Sequence, residues 1–402
     1  MESLDLVTTA MAAGGAAIAR DGDGRVVFVD GALPGERVRA EVVTSKRDFA
    51  KARIAEVLEA SPDRIAPPCA ALAAGCGGCS WQYVRPGAQG VLKAAIVTDA
   101  LRRVGRFEAG EVPVELRPAP GDGRPLRTTV RLGVDSSGRA GQRRHHGHEV
   151  VAPEACLAAH PRLEELIVAG RFPGASEVVL RVGIASGERA AMADPAPASA
   201  SMRLPADVRV GPGAVTHEEV AGAWLQVSIS SFFQSGSLAA AALVDAVRDA
   251  AGDRLAPGGH LVDAYAGVGL FGATVGAASA RITSIETDSW AVADALVNLA
   301  DFDATVVQGE VGRWRPAPGD PPVDVVVADP ARSGLGRPGV AALAAAGAPR
   351  LVLVSCDPAS LARDARLLVE AGYRLVQVDL IDAFPDTFHV ESVSRFDRTD
   401  ES

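Results

Sequence analysis

The sequence predicts an α/β protein, with a doubly wound parallel sheet in its C-terminal half, a small α+β segment before it and a β-barrel at the N-terminus. Three observations carry this reading. From Ser228 onward, short apolar runs alternate with Ala-rich stretches of helical length: "GGHLVDAYAG", "ARITSIETD", "VDVVVADPA" and "PRLVLVSCD". Strands covered on both faces by crossover helices read as continuous apolar runs of this kind. Before residue 60 the texture is two-residue alternation around a Gly/Pro turn, as in "RVVFVDGALPGERVRAEVV", the pattern of paired antiparallel strands. Between the two, residues 113 to about 215 mix short strands with Pro- and Gly-rich turns, including "MADPAPASASMRLPADVRVGPG", which reads as an irregular surface connection.

A chain of 402 residues with 48% hydrophobic content is long enough for two or three domains. The textures divide it into a barrel (1–60), a central domain (61–215) and a C-terminal domain (216–402). The formal charge of −10 argues against a general nucleic-acid binder, but the charge is uneven. Residues 1–150 carry 21 Lys and Arg against 18 Asp and Glu, a net of +3; the remainder carries 19 against 32, a net of −13. A polyanion would therefore contact the N-terminal part. No export signal or membrane span is legible, and five cysteines are few for a secreted disulfide scaffold. The expectation is a cytoplasmic monomer with no obligate protein partner.

Taken in order, the barrel is OB-like, with Lys46, Arg47, Lys51 and Arg53 as candidate contacts to single-stranded nucleic acid. "CAALAAGCGGC" then gives Cys69, Cys76 and Cys79, with Cys156 standing 77 residues further on. Three close thiols and a distant fourth suit a four-cysteine metal centre, and the spacing does not choose zinc from an iron–sulfur cluster. Residues 88–107 have helical periodicity and a basic end at Arg102, Arg103 and Arg106. "RRHHGHEV" reads as a solvated or RNA-facing basic loop around His145, His146 and His148.

The chemistry lies in the C-terminal strand ends. Asp263 ends the first strand, and Gly267 and Gly269 follow in "DAYAGVGLFG", where glycine lets a ligand approach the backbone. Glu286 ends the next strand, placed to grip ribose hydroxyls. This spacing favours S-adenosylmethionine over a dinucleotide. Asp329-Pro330 forces a turn at the end of the third strand and presents Asp329 at the carboxyl edge of the sheet. Cys356 ends the fourth, and "FPDTFHVES" returns Glu391 to the same edge. A thiol and a carboxylate at a methyl-donor site are the equipment for methylating a pyrimidine carbon. Thiolate addition at C6 makes C5 of uracil nucleophilic, and a base then removes the C5 proton.

These motifs, in this order over nearly the whole chain, resemble the bacterial class I S-adenosylmethionine-dependent RNA 5-methyluridine methyltransferases. They comprise a TRAM-type barrel with "FVDGALPGE", the cysteine quartet, "SFFQ", the Gly turn, "DPARSG", "VSCDPASLARD" and "FPDTFHVES". The resemblance implies a Rossmann-like catalytic domain with Cys356 as nucleophile and Glu391 as base. It places Gln234, Tyr265, Leu270, Glu286, Glu310 and Asp329 around the S-adenosylmethionine and the uracil. It gives Cys69, Cys76, Cys79 and Cys156 to a [4Fe-4S] cluster, and packs the helix near 88–107 on the catalytic domain. "DPAR" resembles the branch acting on 23S rRNA, with a tRNA T-loop uridine as the alternative substrate. A non-catalytic RNA-binding redox sensor is the alternative of another class. The chain departs from the family at Gly236, where Asn is common, at Asp357 for Asn in "VSCNP", and in "DAYAG" for "DLFCG".

Overall fold

The computed structural model describes residues 2–117, 126–255, 258–279 and 281–399. Strands β1 (Ser3–Met11), β2 (Ala17–Arg20), β3 (Val26–Asp30), β4 (Arg37–Ser45) and β5 (Phe49–Glu59) close into a barrel in the order β1-β2-β3-β5-β4. Alternate residues point inward, and many are small: Ala17, Ala19, Ala40, Ala50 and Ala52 are buried with Val27, Val29 and Val38. A narrow barrel leaves room for little more. Trp81, Val84 and Ile96, from the segment that follows, join the same core.

Past the short α1 (Ala70–Ala73), α2 (Pro86–Ala100) starts with Pro at its first position, where a missing N–H costs nothing. It runs into a π-helical turn over Leu101–Gly105. Ile96 faces the barrel, whereas Val97, Ala100 and Leu101 join the core of the C-terminal sheet. This helix is therefore shared between two cores. Its Lys93 is fully enclosed and donates to Asp382 Oδ1 (2.6 Å) and to the Phe384 carbonyl (2.9 Å).

β6 (Val114–Leu116) does not join the central domain but pairs in parallel at the edge of the C-terminal sheet. The central sheet contains β7 (Thr129–Val134), β8 (Ala140–Arg143), β9 (Val150–Val151), β10 (Glu177–Val182), β11 (Arg189–Asp194) and β12 (Val208–Val210). Their order is β12-β11-β10-β7-β8-β9. Helix α3 (Pro161–Ala169) covers it through Leu163, Leu166 and Ile167. The stretch read as an irregular connection contributes the end of β11, a 3-10 turn over Ala196–Ser201 and β12. Pro and Gly masked these elements because each is shorter than a period detectable in sequence.

The hairpin β13 (Val215–Val220) and β14 (Ala223–Ser228) leads into α4 (Ser237–Ala251). The C-terminal sheet then builds from β15 (His260–Ala264), α5 (Leu270–Thr274), β16 (Arg281–Glu286), α6 (Ser289–Asn298) and β17 (Ala304–Gln308). After these come β18 (Val325–Ala328), α7 (Gly336–Ala345), β19 (Arg350–Ser355), α8 (Pro358–Glu370), β20 (Tyr373–Ile381) and β21 (Glu391–Arg398). The order is β17-β16-β15-β18-β19-β21-β20-β6, with β21 antiparallel to both of its neighbours. The order of strand addition reverses between the parallel β15 and β18, the switch point where such sheets open a ligand crevice. Both faces are covered: Val325, Val327, Val352 and Val354 enter one core, and Val326, Ala328, Leu351 and Leu353 the other. That alternation explains the unbroken apolar runs. Among the described residues, no helix is long and apolar enough to cross a membrane.

Candidate active site

Register brings the thiol and the carboxylate together. β21 inserts beside β19 with Ser392 opposite Ser355, and Ser392 Oγ donates to the Ser355 carbonyl (3.0 Å). One step further along this antiparallel pair, Cys356 stands across from Glu391. Asp329 follows β18 on the other side of β19, and its Oδ2 accepts from Gln234 Nε2 (3.3 Å). Four of the expected residues thus share the carboxyl edge at the switch point.

The electrostatics of this edge are those of an incomplete site. Burial pushes the Cys356 thiol up to about 11, with the carboxyls of Glu391 and Asp329 adding to the effect. Burial also holds Asp329 at about 7 and raises Glu391 well above its ordinary value, with Asp329 adding to the rise and Arg332 opposing it. Two acids that influence each other this strongly do not both ionise at neutral pH. A thiol raised this far holds its proton at neutral pH.

Arg332, three residues after Asp329, was not singled out from the sequence, although it stands in the quoted "DPARSG". Its charge opposes the upward shifts of both Cys356 and Glu391, and it donates to Nδ1 of His389 (3.3 Å). His389 is held neutral by burial, at about 4. Phe232 is a second omission: it is 74% exposed beside the buried Phe233 and Gln234. A single aromatic in "SFFQ" carried no signal about which ring faces outward.

The cofactor side lies along the ends of β15, β16 and β17. Glu286 accepts from Gly267 N (2.9 Å), Thr287 N (2.6 Å) and Asp288 N (2.8 Å), which locks the Gly loop to the end of β16. Gly267 and Gly269 have φ of +54° and +84°, and Tyr265 takes +60° without glycine's freedom. Such a conformation is disfavoured by about 1–3 kcal/mol and persists where surrounding structure enforces it. Leu270 is buried at the start of α5. Asp263 Oδ2 accepts from Gly272 N (2.9 Å), while Oδ1 is buried with no partner among the described residues. Burial, with some help from Asp329 and Glu286, lifts this acid to about 8. An orphaned buried oxygen, a carboxylate at the next strand end and the open positive-φ Gly267 between them fit the amino-acid and ribose ends of S-adenosylmethionine. Glu310 stands on the same edge beyond β17, exposed and paired with Arg313 (2.9 Å).

The departures from the family have local explanations. Asp357 caps α8 by accepting from Ser360 N (2.8 Å), as Asn would. A Cβ on Gly236 would stand 2.6 Å from the Leu126 carbonyl, so the central domain occupies the space of a side chain there.

The cysteines form a second centre. Cys69, Cys76, Cys79 and Cys156 border one cavity of about 40 Å³ together with Arg127 and Leu132. Burial raises the thiols of Cys76 and Cys156, and that of Cys79 to about 11, with Arg127 opposing each rise. Arg127 Nη2 also donates to the Gly78 carbonyl (3.3 Å).

Two basic segments carry ion pairs. His145 Nε2 and His146 Nε2 lie 2.9 and 3.3 Å from Asp30 Oδ2, and Arg143 and Arg144 pair with Glu177 and Glu149. The loop is docked on the barrel through Asp30, which ends β3, while His146 remains exposed. Arg53 on the barrel is likewise paired, with Glu41 (2.7 Å).

Comparison with known proteins follows this geometry. The TRAM domain profile matches residues 7–55. An uncharacterized RNA methyltransferase of Streptomyces avermitilis is 36% identical over 422 residues, 96% of this chain and 95% of the relative. The 23S rRNA (uracil(1939)-C(5))-methyltransferase RlmD of Methylococcus capsulatus is 31% identical over 430 residues, 94% of this chain and 93% of the relative. The crystal structure of Pyrococcus abyssi tRNA (uracil-54, C5)-methyltransferase with S-adenosyl-L-homocysteine shares the fold, with a TM-score of 0.70 over 97% of this chain and 99% of that one, at 21% identity. A barrel of TRAM type, a methyltransferase sheet and full-length relatives together make this chain a member of the S-adenosylmethionine-dependent RNA 5-methyluridine methyltransferase family.

Proposed function

We propose that the chain methylates C5 of a uridine in 23S rRNA through a covalent bond between Cys356 and C6 of the base. The observation that carries the reading is the convergence of Cys356, Glu391, Asp329 and Gln234 at the switch point. The ribosomal substrate rests on the Methylococcus relative, whose name states that specificity.

S-adenosylmethionine supplies the methyl group, and its positive sulfonium favours the thiolate electrostatically. The uridine leaves its stack to reach the edge, at a cost on the order of a few kcal/mol, and exposed Phe232 offers a ring on which bases can stack. The Cys356 proton is released to solvent as the positive sulfonium binds, Glu391 remains the ionised member of its pair with Asp329, and the sulfur adds to C6. The electron pair of the C5–C6 double bond moves into the ring as an enolate, which Gln234 can steady through its amide. C5 then takes the methyl group. Glu391 removes the C5 proton, the double bond re-forms, and the Cys356 sulfur leaves. A Glu391 with a raised proton affinity suits this role.

The same proposal assigns the four cysteines to a [4Fe-4S] cluster. Tetrahedral zinc, with Zn–S of about 2.3 Å, requires sulfurs about 3.8 Å apart. Among the described residues, Asp30, His145 and His146 are the one set of three ligand atoms mutually within 4.8 Å. No three of the cysteine sulfurs meet that limit among the described residues, which favours a cuboidal cluster with its larger sulfur separations. The raised thiol pKa values of Cys76, Cys79 and Cys156 mean that loading releases protons. Iron and acid-labile sulfide at four each per chain, lost in Cys79→Ser, is the expected analysis; stoichiometric zinc instead would contradict it.

The function is tested by incubating the purified protein with ribosomal RNA and with tRNA, each from a strain lacking the gene, and mapping 5-methyluridine by mass spectrometry. The expected result is modification of one 23S position. Modification of a tRNA T-loop would select the alternative substrate, and no 5-methyluridine in either would overturn the reading.

A further inference from the structure

The turn that carries Phe232, Phe233 and Gln234 is gripped by two buried charges that belong to neither reacting group. Asp294, midway along α6, is fully buried. Its Oδ1 accepts from Ser228 Oγ (2.8 Å) and Gln226 Nε2 (2.9 Å). Its Oδ2 accepts from Ser228 N (2.8 Å) and Ser231 Oγ (2.7 Å). From the opposite side comes Arg181 of β10, 2% exposed. It donates from Nη1 to the Ser228 carbonyl (2.5 Å), from Nη2 to the Ser231 carbonyl (2.8 Å) and from Nε to Thr129 Oγ1 (3.0 Å). Thr128 N donates to the Ser235 carbonyl (2.8 Å), and the Leu126 carbonyl closes against Gly236. The segment 228–236 is therefore tied at both ends and in the middle by two different domains.

Burying a guanidinium and a carboxylate is costly, and apolar packing would anchor a hairpin end as firmly. What the charges add is direction. The guanidinium fork accepts nothing and pairs only with acceptors, while the carboxylate pairs only with N–H and O–H donors. The turn consequently has one register. A slip of one residue would swap exposed Phe232 with buried Phe233 and draw Gln234 away from Asp329. Asp294 also shares α6 with the loop at Glu286, since Glu286 accepts from Asp288 N and the Asp288 side chain caps that helix. One helix thus serves the cofactor loop at its start and the substrate turn at its middle.

We propose that Arg181 and Asp294 are positioning residues that hold Phe232 and Gln234 in register against the target uridine. The proposal rests on the substrate-facing role given above to Phe232 and Gln234. Ser231→Ala removes one contact to Asp294 and leaves both charges otherwise partnered, so it is the variant least prone to unfolding. Its kcat/KM for RNA should fall about tenfold, as expected for loss of a hydrogen bond to a charged group, with affinity for S-adenosylhomocysteine within about twofold of wild type. Arg181→Met should fall further, and Arg181→Lys should recover part of the loss. Hydrogen exchange over residues 229–236 should quicken in Arg181→Met without change in α8. Unchanged kcat/KM in Ser231→Ala, an equal loss of cofactor affinity, or unchanged exchange in Arg181→Met would each overturn the proposal. If wild type forms no 5-methyluridine, the functional reading fails while the exchange experiment still decides the grip.

Discussion

Glu36 in the barrel and Glu391 at the catalytic edge are glutamates of similar burial, 0% and 5% exposed, yet they live in opposite electrostatic surroundings. Glu36 accepts from Arg64 through both oxygens (2.5 and 2.8 Å), from Leu33 N (2.8 Å) and from Ser61 N (3.2 Å). Burial pushes its pKa up, and these donors bring it below the ordinary value. Glu391 has no hydrogen bond to its carboxyl among the described residues, has Asp329 close by, and is raised. A carboxylate that holds structure together is saturated with donors. On the proposed reading, one kept for chemistry is left short of them, and its proton is available for exchange. The same contrast separates Asp21, lowered beside Arg25, from Asp263 and Asp329.

The comparison can be broken most decisively at the thiol across from Glu391. Cys356→Ala should lower turnover by on the order of a thousandfold or more, as loss of a nucleophile acting with a partner base does. It should leave the melting temperature within a few degrees, since the half-buried Cys356 is not a packing element. Residual methylation near the wild-type rate would refute the chemistry.

A smaller effect distinguishes the two glutamates by stability. Glu36→Ala leaves Arg64 facing a site without its partner and should cost about 3–5 kcal/mol in a denaturant titration. Glu391→Gln removes no ion pair and should be neutral or stabilising. Equal losses would erase the distinction between the two sites.

The smallest effect is the pH dependence. For Asp263 and Asp329 the folded values, about 8 and 7, lie above the unfolded value near 4. The native state therefore holds protons that the unfolded chain has released, and stability falls as pH rises through that window. Glu36 runs the other way: its contribution is present above its unfolded value and is lost as pH falls through the lowered folded one. Thermal melts of the protein alone should drop between pH 5 and pH 8, and Asp263→Asn should flatten the drop. A melting temperature that rises over that interval would contradict the burial of these acids.

Much of this was legible in the sequence, and for identifiable reasons. Strands buried on both faces announce themselves by apolar runs, and the residue ending each run sits at the carboxyl edge by topology. Asp263, Glu286, Asp329 and Cys356 are all found that way. Glu391 needed chemistry, because the antiparallel insertion of β21 beside β19 is a long-range pairing with no local signature. Arg332 and Phe232 acquire meaning only from their neighbours across the crevice. Arg181 and Asp294 are a further step removed: a lone Arg in a strand and a lone Asp in a helix become a pair only once the turn stands between them. The docking of the His145–His146 loop on Asp30 had no sequence signal, because the two are more than a hundred residues apart.

The most direct measurement is denaturing gel electrophoresis of the Glu391→Gln variant after incubation with S-adenosylmethionine and its substrate RNA. Proton removal from C5 is then blocked after Cys356 has already bonded to C6. A slow-migrating protein–RNA species that survives denaturant and disappears in the Cys356→Ala, Glu391→Gln double variant is the expected result. Free protein only, from a Glu391→Gln variant that still binds cofactor and RNA, would contradict the assignment.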